Sequence, residues 1–324
     1  MMGIRRGASR WWLPAASLLL VGAIVLGTMI GPAGSVSAAN WNIIWQIRLP
    51  RVVLAGIVGA MLSISGASFQ GVFRNPLVDP YLLGIAAGAG LGATIVFTVG
   101  AGARTGWLVD PLPLAAFAGG LAAVLLTYVV GASFGGSGTT LVLAGVAVTA
   151  LVTAVQIFVL QRNSDVIREV YSWILGRLST ANWGDVRLVV PYVVVASIVL
   201  LLHSRQLDVL RVGDDEALSL GMNVRRVRLV VVVAATLGTA AVVSVSGLIG
   251  FVGILVPHMV RLLAGASYRM VLPLSVLVGA AFLILADIPG RVLQSPSETP
   301  IGVVTAFLGA PFFIVVLRSR RSVA

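Results

Sequence analysis

The sequence predicts an all-α integral membrane protein that crosses the bilayer ten times as a single transmembrane domain, residues 1–324. Three observations predict it. Hydrophobic side chains make up 58% of the chain and charged ones only 10%, against roughly 25% charged in soluble domains. Mean hydropathy is +1.04. Apolar runs of about 17 to 22 residues, enough to cross about 30 Å of hydrocarbon at about 1.5 Å per residue, recur ten times along the chain.

In order, the runs cover about 11–31, 51–70, 81–100, 111–132, 139–160, 187–203, 228–246, 248–264, 271–289 and 300–317. An even number returns the chain to the side on which it starts. Arg5, Arg6 and Arg10 precede the first run and Arg318, Arg320 and Arg321 follow the last. Positive loops stay inside, so the tail of about residues 1–10 and both termini are expected in the cytoplasm. The twin arginines, the apolar stretch and "GSVSAAN" also resemble a signal peptide with a cleavage site, which would leave nine spans. The length of the apolar stretch favours an uncleaved first span.

With that sidedness the loops near 71–80, 133–138, 204–227 and 262–270 face the cytoplasm, and those near 33–50, 101–110, 161–186 and 290–299 face outward. Two are long. The stretch 161–186 mixes aromatic and charged residues as a short surface-lying helix does. In 204–227, "VGDDEALSLGMNVRR" reads as a compact helix: Gly213 or Asp214 as start, Asp214, Asp215 and Glu216 in the first turn, Ala217 and Leu218 in its body, Gly221 as stop.

The 37 glycines fall mostly inside spans, where small residues let backbones approach. An echo suggests an inverted internal repeat: Ser63-Ile-Ser-Gly66 is followed ten residues on by Pro76, and Ser244-Val-Ser-Gly247 by Pro257.

Absences exclude whole classes of chemistry. Without cysteine there is no disulfide, thiolate nucleophile or iron-sulfur ligation, and His203 and His258 alone cannot build a multi-histidine metal site. Every one of the 22 basic residues is arginine. Without lysine there is no phosphate-binding loop of the G-x-x-x-x-G-K-S/T kind, so any ATP hydrolysis, with its magnesium, belongs to a partner chain. The net charge of +11 reads as loops facing an anionic leaflet, not as a nucleic-acid surface.

Ionisable groups at membrane depth are costly and kept for a task. Asp287 is the main candidate, and Arg291 follows it at the spacing of a helical ion pair. On the outer side Arg48, Arg51 and Arg291 oppose the sidedness rule, which suits either interfacial snorkelling or an acidic outer partner. In "GFVGILVPHMVRLLAG", Pro257 is expected to break the span and to free a carbonyl for His258, while Arg261 anchors the cytoplasmic end.

"RLPRVVLAGIVGAMLSISGASFQGVFRNPLVDPYLLGIAAGAGLGA", "SWILGRLSTANW", "LDVLRVGDDEALSLGMNVRRVR", "SGLIGFVGILVPHMVRLLAG" and "ETPIGVVTAFLGAPFF" together resemble the FecCD-type permeases, from about Arg48 to Leu317. These are membrane subunits of ATP-binding-cassette importers for ferric siderophores, haem and cobalamin. The resemblance implies a cobalamin-permease-like ten-helix bundle in the cytoplasmic membrane that binds no cofactor itself. Its implied partners are a second copy or a sister permease, two cytoplasmic ATPases and an extracytoplasmic substrate-binding protein. It further implies that Arg48, Arg51 and Arg291 dock the binding protein and that Asp214 to Gly221 forms the helix that couples to the ATPase. Asp165 to Leu178 would lie beside the translocation path, and Thr149, Thr153 and Gln156 would line it. The family's usual "ELP" before the last span is "ETP" here, Glu298 to Pro300. A ferric chelate is the expected substrate and cobalamin the alternative. An ion-coupled secondary transporter is disfavoured by the shortage of buried carboxylates.

Overall fold

The computed structural model describes residues 11–31, 41–100, 110–135, 138–293 and 297–321, with side chains as far as 314. The N-terminal arginines, the "GSVSAAN" stretch and the side chains of the C-terminal arginines lie outside the described residues.

The described residues are helical or connecting, with no strand among them. In order they form α1 (Trp12–Met29), α2 (Trp41–Ile43), a π-helical turn (Ile44–Arg48), α3 (Leu49–Val72), α4 (Ile85–Thr98), α5 (Pro111–Ser133) and α6 (Gly138–Arg162). A 3-10 turn (Ser164–Val166) leads to α7 (Ile167–Ile174), followed by α8 (Trp183–Leu202), α9 (Ser204–Leu210) and α10 (Asp214–Ser219). The chain ends with α11 (Val224–Ser246), α12 (Val252–Ala264), α13 (Tyr268–Val292) and α14 (Ile301–Arg321). Seven helical segments are long and apolar enough to cross a membrane: α1, Trp41–Val72, α5, α6, α8, α11 and α13. Three shorter apolar helices, Ile85–Thr98, Val252–Ala264 and Ile301–Ile314, complete the set. Every expected run therefore contains a helix.

Two runs start later than their hydropathy implied. α4 begins only after a turn at Gly84, which holds φ +89°. α12 follows a non-helical segment, 247–251, whose ends Gly247 and Phe251 both have φ +69°. That break comes before Pro257, not at it. α12 runs unbroken through Pro257, which corrects the expectation from sequence.

α3 is the central post, buried along most of its length and packed on α13, α11, α12 and α8. Close approach explains its small residues. A side chain on Gly59 would collide with the carbonyl of Gly279, and one on Gly66 with the carbonyl of Gly253. Around that post α1 is peripheral, burying only Ala16, Ala23 and Gly27. The expected surface helix of 161–186 is α7, which exposes Arg168, Glu169 and Tyr171 and anchors its inner face through Trp173, fully buried among Ala89, Ala93, Leu112, Ala116 and Val243.

Candidate docking, coupling and path sites

At one end of the bundle a charged cluster joins α1, α3 and α13. Arg51 makes a two-pronged contact with Asp287, Nε to Oδ2 at 2.8 Å and Nη2 to Oδ1 at 2.9 Å. Its remaining nitrogen, Nη1, donates to both oxygens of Glu298 at 3.0 and 2.8 Å. A planar fork with several donors fits such a pairing, and charge assistance makes it strong. Arg291 lies one turn after Asp287 on α13, and its Nε approaches Asp287 Oδ2 at 2.9 Å without the alignment of a hydrogen bond. Pro289 therefore leaves the predicted pair in place.

The other two guanidiniums cap α1. A helix ends with carbonyls lacking intrahelical donors and with a partial negative charge. Arg48 Nη1 donates to Met29 O at 2.9 Å and Thr28 O at 3.3 Å. Arg291 Nη1 donates to Gly27 O at 3.0 Å and Ile30 O at 3.4 Å. The π-helical turn Ile44–Arg48 brings Arg48 there. Expected to stand out toward a partner, Arg48, Arg51 and Arg291 are only 7%, 8% and 2% exposed. Two acids and the end of α1 engage them within the chain, with Glu298 the more accessible acid at 27%. Sequence reasoning noted Glu298 only as part of a helix start.

At the opposite end lies the acidic helix of 204–227. α10 ends in a left-handed Gly221, φ +78°, with Met222 N bonded to Ala217 O at 3.0 Å and Gly221 N to Leu218 O at 2.9 Å. This paired closure is the stop the sequence predicted. Asp214 is held by Arg228 at 3.1 Å and Arg74 at 3.5 Å. Ala217 is buried, while Asp215, Glu216, Leu218 and Leu220 are exposed, the leucines at 58% and 72%. The exposed side of this short helix thus pairs two leucines with two acids.

One link at this end escaped the sequence reading. Asp208 of α9 accepts from Tyr268 N and Ser267 Oγ, both at 2.7 Å, and so caps α13 from outside. Arg211 donates to Ala266 O at 2.7 Å. The loop carrying α10 is thus fastened to the turn between α12 and α13.

The α12 motif lies near this end too. Gly253 sits against Gly66, about 22 Å along α3 from Arg51 at helical rise. Pro257 has no N–H, which leaves the carbonyl of Gly253 without its helical donor. Gln70 Nε2 supplies one at 3.0 Å, and Gln70 Oε1 accepts from Arg261 Nη1 at 2.6 Å. Gln70 thus serves the carbonyl that Pro257 frees, and the half-buried ring of His258 meets Phe312 edge-on at 5.8 Å.

The break at 247–251 is gripped on several sides. The Tyr81 hydroxyl donates to Ile249 O and accepts from Ile249 N, each at 3.1 Å. Arg177 N donates to Ser246 O at 2.8 Å, and Phe251 presses on Gly309 of α14. Beside it opens an apolar cavity of about 570 Å³ between Ile174, Leu248, Gly250, Gly302 and Phe307. Thr149, Thr153 and Gln156, expected to line a path, do not line this cavity. Gln156 is buried and donates to Thr94 Oγ1 of α4 at 3.0 Å, stapling α6 to α4. Thr149 and Thr153 are half-buried, with Thr149 close to Gly84. α6 is apolar on all sides, so its pattern gave no sign of which face turned inward.

The long apolar helices are those of a multi-pass membrane protein, and the matches that follow make the chain a permease, a non-catalytic subunit of an ATP-binding-cassette transporter. The sequence pattern of the FecCD transport family matches residues 14–319, and the chain belongs to that family. It is 44% identical over 279 residues to the cobalamin import system permease protein BtuC of Halobacterium salinarum, covering 86% of this chain and 74% of that one. It is 38% identical over 288 residues to the hemin transport system permease protein HmuU of Yersinia pestis, covering 88% and 86%. Among solved structures, a metal-chelate type ABC transporter in an inward-facing conformation superposes with a TM-score of 0.87 at 32% identity, covering 95% of this chain and 98% of that one. The family implies that a partner ATPase hydrolyses the ATP. Membership sets aside the ion-coupled alternative.

Proposed function

We propose that this chain, as one permease domain over residues 1–324, carries a ferric chelate, siderophore or haem, across the cytoplasmic membrane into the cell. The observation that carries the reading is the fastening of the α10 loop to the α12–α13 turn through Asp208 and Arg211. It lets a push on α10 reach two helices that pack on the central α3. In this reading two copies, or this chain and a sister permease, enclose the path and two ATPases grip α10 through Asp215, Glu216, Leu218 and Leu220. The chain crosses ten times with both termini cytoplasmic. The Ser-x-Ser-Gly echo supports two inverted halves, although Pro76 lies in a turn and Pro257 within a helix.

The path runs past the apolar cavity beside 247–251, with Thr149 and Thr153 at most on its margin and Gln156 behind its wall. Pro257, His258 and Arg261 hold the cytoplasmic end of α12. A substrate-binding protein docks over Arg48, Arg51 and Arg291, where three guanidiniums face two carboxylates and leave one positive charge. Because these arginines are engaged internally, a partner carboxylate would act by displacing Glu298 from Arg51.

Cobalamin is the second reading, favoured by the 44% identity to a permease named for cobalamin import. Proteoliposomes holding the permease, its ATPase and its binding protein decide between them. ATP-dependent accumulation of an iron chelate and not of a corrinoid supports the first reading, and the reverse supports the second. Accumulation of neither with ATP overturns the import proposal.

A further inference from the structure

The short α4 leaves a second space. Because α4 begins only at Ile85, the bundle beneath its N-terminus holds a cavity of about 510 Å³, bounded by α5, the start of α6, α10 and α11. Its walls are mostly hydrocarbon, Leu83, Val124, Leu141, Leu229 and Val232, with Thr127 and Tyr128 of α5 among them. The charged part of its lining is Asp214, Arg225 and Arg228, two cations to one anion. Arg228 gives Nη2 to Asp214, but its buried Nε has no hydrogen-bond partner among the described residues. Arg225 beside it is exposed.

Cations at one end and a dry wall at the other select an amphiphile with an anionic head. The cavity also borders the outer apolar surface of α5. Val124 and Tyr128 of its wall adjoin Leu125 and Val129, which are exposed on the same helix and continue the outer apolar surface of α5. We propose that an anionic phospholipid occupies this cavity, its phosphate on Arg225 and Arg228 and the first part of an acyl chain between α5 and α11. Asp214 heads α10 and shares Arg228 with that phosphate. Lipid occupancy therefore adjusts how firmly the acidic helix is held, whichever chelate crosses the membrane.

The test uses the full-length chain in detergent, equilibrated with phosphatidylglycerol or phosphatidylcholine and examined by native mass spectrometry. The wild type is expected to retain phosphatidylglycerol several-fold over phosphatidylcholine. Arg225→Gln removes the unpaired cation and Val124→Trp fills the cavity while leaving the Arg228–Asp214 contact alone. Each is expected to bring retention to the phosphatidylcholine level with the melting temperature within a few degrees of wild type. Equal retention of the two lipids by the wild type overturns the proposal, as does a preference that survives both substitutions. If either variant fails to fold, protection of the wild type from heat by phosphatidylglycerol over phosphatidylcholine takes its place, and no difference overturns it. A third arm adds inorganic phosphate at millimolar concentration. No effect on retention is expected, whereas displacement of the lipid together with equal thermal protection makes this a free-anion site and overturns the lipid assignment.

Discussion

Gln70 donates its side-chain amide to the carbonyl of Gly253 at 3.0 Å, a contact between the end of α3 and the start of α12. That carbonyl is the one Pro257 strips of its helical donor, so the two helices are joined where one of them lacks a bond. Gln70→Ala leaves a buried carbonyl without its donor and takes an acceptor from Arg261, which keeps its contact over the Tyr268 ring, and is expected to cost about 1–3 kcal/mol. Restoring the helical N–H with Pro257→Ala should shrink that cost by about 1 kcal/mol. Unfolding of the two single variants, the double variant and the wild type in detergent measures the difference. An equal cost in both backgrounds would mean that Gln70 does not answer the proline.

The two acids that meet Arg51 should differ in weight. Asp287 is buried between two guanidiniums, and Asp287→Asn removes the charge both rely on, at an expected cost of about 3–5 kcal/mol. Glu298 meets Arg51 nearer solvent, and Glu298→Gln should cost about 1 kcal/mol or less. Glu298→Gln should at the same time quicken binding-protein association, since Arg51 is freed for an incoming carboxylate. Melting temperatures and association rates of the two variants give the ranking, and a slower association on loss of Glu298 would sink the displacement idea.

The fold was legible in the sequence because lipid allows little choice: a spanning helix must be a long apolar run, and each of the ten runs contains a helix, seven of them long and apolar enough to cross a membrane. α10 was legible because caps and stops are local, written in Asp214 and Gly221. Partnerships across the fold were not. Nothing near Gln70 announces Gly253, which lies 183 residues away. Arg48 and Arg291 looked like charges seeking a partner because the ends of helices do not show as acceptors in a sequence. The bond from Gln156 to Thr94 was not legible because a helix apolar all round gives no facing.

Asp208 should matter to coupling more than to folding alone. Asp208→Ala removes both bonds to the start of α13. In the assembled transporter it should leave ATP hydrolysis within about two-fold while cutting uptake about ten-fold. Asp208→Asn keeps an acceptor oxygen and should recover much of the uptake. Parallel loss of hydrolysis and uptake in both variants would indicate a merely structural role.

Within α10 the neighbouring acids should separate. Asp215→Arg alters an exposed charge and is expected to weaken association with the ATPase about ten-fold without a change in melting temperature. Asp214→Arg confronts Arg228 and Arg74 and should lower the melting temperature as well. Pull-down of the ATPase alongside thermal unfolding distinguishes them, and identical behaviour would argue against α10 being a docking surface held from behind.

Asp79 gives the chain a pH dependence. It lies in the segment between α3 and α4, half-buried, with Oδ1 accepting from Tyr81 N at 2.8 Å. Burial pushes its carboxyl up to about 6, and the Tyr81 N–H opposes the rise only in part. Between about pH 4 and 6 the folded chain thus holds a proton that the unfolded chain has released. The associated stability is fully present below about pH 4 and is lost as pH rises through about 6. Asp79→Asn imitates the protonated group at every pH. Its melting temperature should therefore match wild type near pH 4 and exceed it above pH 6, with the gap opening between the two. A constant gap across that range would place the titrating group elsewhere. Because Tyr81 also clamps Ile249 in the break before α12, the same substitution should slow protease cutting at 247–251 above pH 6. That second reading ties the proton to the segment beside the proposed path.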